Sequence, residues 1–181
     1  MAPESNSKKT KTRQALQFLL FILLFLLTLS PMQIFPKEKQ SLNYTEKKVK
    51  ALVNEAYAFF IENSGNMKTV QRAFETKFRD DENQLYIFMH SYNAEKKEAI
   101  CIAHGIKPQL IGKNMWGLRT PHGRLLFQEE IELISKNDEF WLEYEWLNPY
   151  SNTIQIKKSL FKKVTLQDGR SAWIGSGYWK K

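Results

Sequence analysis

Cysteine is almost missing from this chain: Cys101 is the only one in 181 residues. No intrachain disulfide can form, and no thiolate cluster can hold zinc. Cys101 lies between Ile100 and Ile102, the setting of a buried, inert thiol. Histidine is scarce as well, at three residues, and no H-E-x-x-H, G-x-S-x-G or glycine-rich phosphate loop occurs. With no catalytic constellation, metal motif or cofactor motif in view, the expectation is a protein that is not an enzyme. A long basic tract is lacking from the globular part too. The net charge of +8 is shared between an N-terminal tail and a domain in which lysines and acids alternate. Nucleic-acid binders concentrate their charge on one face, so nucleic acid is not an expected partner. Spread positive charge supports a preference for anionic ligands.

One long apolar run is present. SKKTKTR, residues 7–13, supplies four cations before QALQFLLFILLFLLTLSPMQIF. That order predicts a cytoplasmic tail over 1–14 and a transmembrane signal anchor over 15–35, with the roughly 20 residues a bilayer requires. A cleaved signal peptide, cut after Ser30, is the rival reading, although Pro31 would then follow the cut. Both readings put the rest of the chain outside the cytoplasm. It is expected either as a single-pass bacterial inner-membrane protein facing the periplasm or as a secreted periplasmic protein. A linker is expected over 36–43 and one domain over 44–181. Asn43 opens a glycosylation sequon and is read instead as the N-cap of the helix that follows.

From Tyr44 to Glu62, Val49, Leu52, Val53, Ala56, Tyr57 and Phe60 recur at three- and four-residue intervals. This predicts a long amphipathic helix. Gly65 is expected to end it as a C-cap, and Met67–Phe78 reads as a second helix. QLYIFMH (Leu85 to His90) and EAICIAH (Glu98 to His104) read as a hairpin across the polar SYNAEKK turn. LLFQEEIELIS, from Leu125 to Ser135, predicts a short helix with Glu129, Glu130 and Glu132 on a solvated face. Three more strands begin at Phe140, Thr153 and Ser171, joined by NPYSN and TLQDG turns. The class is α+β: a long N-terminal helix packed on a five-stranded antiparallel sheet, with helices against one face. One hydrophobic helix is expected to precede the domain.

Four separated stretches, QLYIFMH, IAHGIKPQLIGKNM, LEYEWLNP and IGSGYW, carry a further signal. In that order they resemble a single Cache domain of the type 2-like kind, the extracytoplasmic PAS-like ligand-sensing module of bacterial receptors. The resemblance covers about Val49 to Trp179. Ala103, His104, Pro108, Ile111, Gly112, Lys113 and Asn114 match the family's "ahp…lvGkn" stretch. Tyr144, Trp146, Asn148 and Pro149 match "Y-x-W-x-NP", and Ile174 to Tyr178 match the closing "igsGiY" strand. There are two departures. Thr120-Pro121-His122-Gly123 stands where an acidic residue and glycine are usual, and Leu160 stands where "K-x-S-Y" has tyrosine.

The resemblance implies a small-molecule pocket, one wall of which is the segment after the second strand. Gly112 would permit a tight turn there, with backbone amides facing an anion. Lys157 and His104 would hold a charged end, Tyr86, Tyr144 and Trp146 would form aromatic walls, and Met115 and Trp116 a lid. Each has a plainer alternative: a solvent-facing lysine, a turn-capping histidine, core aromatics. The function implied is binding of a small anionic metabolite, such as a short carboxylate, in a sensor-type module lacking its own output domain. Its partners would be the inner membrane, through the N-terminal helix, and a second copy or a separate signalling protein. The competing expectation is an envelope or host-directed interaction module that keeps the fold without a pocket.

Overall fold

The computed structural model describes the backbone of residues 37–180 and the side chains from residue 45 onward. The expected tail, membrane anchor and signal-peptide alternative fall outside the described residues. Among those described, no helix is long and apolar enough to cross a membrane. The chain divides after Gln40, and the unit Ser41–Lys181 carries the sheet.

Helix α1 (Lys37–Asn63) buries Val49, Val53, Ala56 and Phe60 along the predicted stripe. It begins well before Tyr44, so residues 37–43, read as linker, are helical and Asn43 lies inside α1 rather than at its N-cap. Those first residues are polar apart from Leu42, and one apolar residue makes no period, which is why periodicity missed them. Gly65 is not at positive φ and makes no left-handed cap. Asn66 instead caps α2 (Met67–Thr76), its side chain accepting from the Thr69 N–H at 3.2 Å.

Strands β1 (Arg79–Asp80) and β2 (Leu85–Tyr86) pair as a small two-stranded sheet. The main sheet contains β3 (Phe88–Asn93), β4 (Glu98–His104), β5 (Glu139–Asn148), β6 (Thr153–Thr165) and β7 (Ser171–Trp179). It is antiparallel throughout, with order β4-β3-β7-β6-β5. The predicted first strand is interrupted at Ile87, whose carbonyl accepts instead from the Gly105 N–H at 2.8 Å. A Cβ on Gly105 would meet the Phe74 carbonyl oxygen at 2.9 Å, so this crossing requires glycine.

Alternation along the strands builds two cores. On one face Met89, Leu160, Ala172 and Ile174 meet α1 and α2; on the other Phe88, Phe161 and Trp173 meet α3 (Leu126–Lys136). The second face is therefore covered as well, which corrects the expectation of helices against one face. Ala172 to Tyr178 in the central strand β7 are all buried, as a strand shielded on both faces should be.

Two irregularities position the site. A bulge between β3 and β4 pairs Met89 with Ala103 but His90 with Cys101, so Ile102 is the extra residue. Ile102 and Ala103 both pack on the helix side, while Cys101 belongs to the opposite core. His104, three residues after Cys101, thereby returns to that same second face. The Ile111–Asn114 loop is strapped along the edge of β4. Gly112 (φ 82°) donates to the Cys101 carbonyl at 2.8 Å, and Met115 to the Ala99 carbonyl at 2.8 Å. The Ile111 and Lys113 amides bond to Pro108 and Leu110. These amides are spent on the strap, which corrects the expectation that they face an anion. Their work is to protect a sheet edge.

Candidate functional site

Beneath the second face lies a cavity of about 220 Å³, bounded by the sheet, α3 and the loop before α3. Tyr86, His104, Met115, Tyr144, Trp146 and Lys157, six of the seven sequence-predicted residues, line it. Trp116 does not. It is half-buried against the second core, and its carbonyl accepts from Gln128 Nε2 at 3.2 Å. Leu118, two residues on, contributes to the wall instead.

Lys157 enters from β6 and is 2% exposed. Its Nζ donates to Tyr86 Oη at 2.9 Å and sits 4.2 Å from the Tyr86 ring centroid and 5.0 Å from that of Phe88. A phenol and aromatic faces serve this ammonium where a carboxylate would be usual. Burial pushes its pKa down to about 7, against the opposing pull of Glu130. Because the phenol accepts from lysine, its own proton is free to be donated into the cavity. Lys158, the next residue, faces the other way and holds Glu46 of α1 at 2.9 Å.

His104 combines the two roles considered for it. Nδ1 accepts from the N–H groups of Ile106 (3.3 Å) and Lys107 (3.1 Å), capping the turn after β4. Those bonds put the proton of the neutral ring on Nε2, leaving that nitrogen a donor. The ring stacks on Tyr86 with centroids 5.2 Å apart. Burial, with Lys157, His90 and Lys107 adding to it, pushes the His104 pKa down to about 3. Tyr144 Oη shares a 2.9 Å hydrogen bond with Ser159 Oγ, and Trp146 meets Tyr144 edge-on.

Sequence reasoning missed Glu130, His90 and Lys107, all of which line the cavity. Glu130 is buried, which corrects its placement on a solvated face. The signal was available: Leu126 and Ile134 stand four residues to either side on one stripe of α3, and both are buried. Glu129 and Glu132 are the surface pair, held by Arg124 and Lys136. Cys101 is buried and its thiol is pushed up to about 12 by desolvation, matching the inert reading. Leu160, the departure at the expected tyrosine, packs in the helix-side core and leaves the cavity wall unaltered.

An antiparallel sheet with α1 across one face and a half-open, lysine-bearing cavity under the other defines an α+β domain built around a small-molecule-sized space. The family model described as "Cache domain" matches residues 32–167, and the chain belongs to that family. Solved structures repeat the fold. One is a methyl-accepting chemotaxis protein from Vibrio parahaemolyticus RIMD 2210633, 22% identical with a TM-score of 0.60, the match covering 78% of this chain and 92% of that one. Another comes from work titled as the structural basis for carboxylic acid recognition by a Cache chemosensory domain. It is 17% identical with a TM-score of 0.61, covering 79% of this chain and 98% of that one. A third, a periplasmic sensor domain of a chemotaxis protein, is 21% identical with a TM-score of 0.55, covering 82% and 99%. No curated protein matches by sequence.

Proposed function

We propose that this chain is a sensor-type binding domain for a small carboxylate, acting without chemistry. The observation that carries the reading is Lys157: a buried ammonium with no carboxylate partner, opening on a cavity beside the Tyr86 hydroxyl and His104. A ligand carboxylate supplies the missing counter-charge and accepts from lysine, phenol and imidazole together. Phe88, Trp146 and Met115 enclose the apolar remainder. The carboxylic acid recognition named for one structural relative supports the ligand class. The periplasmic origin named for another supports an extracytoplasmic setting, with residues 15–35 as the membrane anchor. Output would pass to a second copy or a separate membrane partner. The cavity weighs against the competing reading of an interaction module with a closed sheet face.

The test is calorimetric titration of the purified full chain with short carboxylates, in wild type and Lys157→Met. Binding that the substitution abolishes is the expected result. A wild-type protein that is folded, free of co-purified ligand and silent to every carboxylate would sink the proposal.

A further inference from the structure

The carboxylate clamp of Lys157, Tyr86 and His104 leaves part of the cavity's polar equipment unused. Glu130, from α3, is 2% exposed and lines the same cavity, and its Oε2 has no hydrogen-bond partner. Its neighbours contrast with it: Glu129 accepts from Arg124 at 2.7 and 2.8 Å, and Glu132 is held by Lys136 at 2.8 Å. From β3, His90 also lines the cavity, and its buried Nδ1 likewise lacks a partner. Its ring is fixed against Phe127 (5.0 Å) and Trp173 (5.5 Å). An apolar residue at position 130 would continue the Leu126–Ile134 stripe without leaving a polar atom unsatisfied. Stability therefore does not account for a carboxyl group there.

Whether neutral or ionised, a carboxyl group can accept a hydrogen bond. Burial favours the neutral form strongly, with the charge of Lys157 opposing it. We infer that Glu130 is a specificity-determining residue, accepting a hydrogen bond from a hydroxyl or ammonium group on the same small skeleton as the carboxylate held by Lys157. The ligand is then a short hydroxy or amino acid rather than a plain fatty acid. This rests on the carboxylate reading and sharpens it. A site with a buried polar group dedicated to a ligand donor discriminates strongly against the analogue lacking it, because the group is left unpaired.

Five three-carbon acids test the assignment: propionate, lactate, 3-hydroxypropionate, alanine and β-alanine. Titrated into the full chain at pH 7, at least one donor-bearing acid should bind about tenfold or more tighter than propionate. Glu130→Met should erase that advantage, so that in this variant the donor-bearing acids bind no tighter than propionate measured beside them at the same pH. Glu130→Gln keeps a carbonyl acceptor, so a donor-bearing acid retains a preference over propionate in that variant. The free Glu130→Met protein should melt at or above the wild-type temperature. Equal wild-type affinity for all five acids would overturn the role of Glu130 and leave the carboxylate clamp standing, as would a preference that survives Glu130→Met. A Glu130→Met protein that melts lower and loses propionate would make the residue structural and overturn the inference. If no acid binds wild type, the carboxylate reading falls and takes this one with it.

Discussion

Lys157 is expensive where it stands, and its expense can be measured. Replacing a buried, poorly compensated charge by a well-packed apolar side chain is commonly neutral or stabilising by about 1–4 kcal/mol. Lys157→Met should therefore fold, unfold at equal or higher urea concentration than wild type, and bind no carboxylate. The pH dependence has a definite sign. Folded Lys157 titrates near 7 against an ordinary value of 10.5, so across that window the unfolded chain binds more protons. This group's contribution makes the free protein more stable as pH rises, and the advantage of Lys157→Met narrows over the same range. Ligand affinity moves the other way. A carboxylate binds the protonated lysine, so affinity should fall above about pH 7 by up to about tenfold per unit. Of the other groups facing the lysine, Tyr86 is held neutral by burial and His104 and His90 by pKa values near 3. Glu130 would add repulsion if it ionised. Calorimetry at several pH values checks the slope, and a flat profile for Lys157→Arg would trace it to the lysine.

At the scale of elements, the strap along β4 depends on one side chain. Asn114 Oδ1 accepts from the Ala99 and Trp116 amides at 3.0 Å each, and Nδ2 donates to the Lys97 carbonyl at 3.0 Å. At roughly 0.5–1.5 kcal/mol per hydrogen bond, Asn114→Ala should lose about 2 kcal/mol in urea unfolding. It should also speed amide exchange at Ala99, and unchanged exchange there would count against the strap. Much of this level was legible in the sequence. Apolar patterns located α2, α3, β4, β6 and β7 to within a few residues, because each buries a stripe or, in β7, a continuous run. The rest depends on partners that the local pattern does not contain. The start of α1 offers a single apolar residue, Leu42, too little for a stripe to be read. The split at Ile87 exists because Gly105, far along the chain, takes its carbonyl. In the site, Lys157 and the aromatics were visible through the family's wording, whereas Glu130 was hidden by its charged neighbours despite standing on a buried stripe.

At the scale of the whole domain, β6 is a wall shared by cavity and helix. Lys157 faces the cavity, while Lys158 bonds to Glu46 of α1 at 2.9 Å, joined there by Tyr178 Oη at 3.4 Å. A change in how β6 sits against the ligand is therefore felt at α1 within one residue of chain. Ligand binding should slow amide exchange around Glu46, measured by mass spectrometry. Glu46→Ala should abolish that response while leaving affinity within about threefold, the site being on the opposite face. No ligand-dependent change near Glu46 in wild type would remove this route.

The bulge at Ile102 has a consequence for which losses of sequence β4 can absorb. Ile102 is a single extra residue with no partner of its own in β3. Losing its codon restores strict alternation while Phe88 still pairs with His104, so the imidazole keeps its place on the cavity face. The strand can thus shed one residue at this point with every cavity residue still in place.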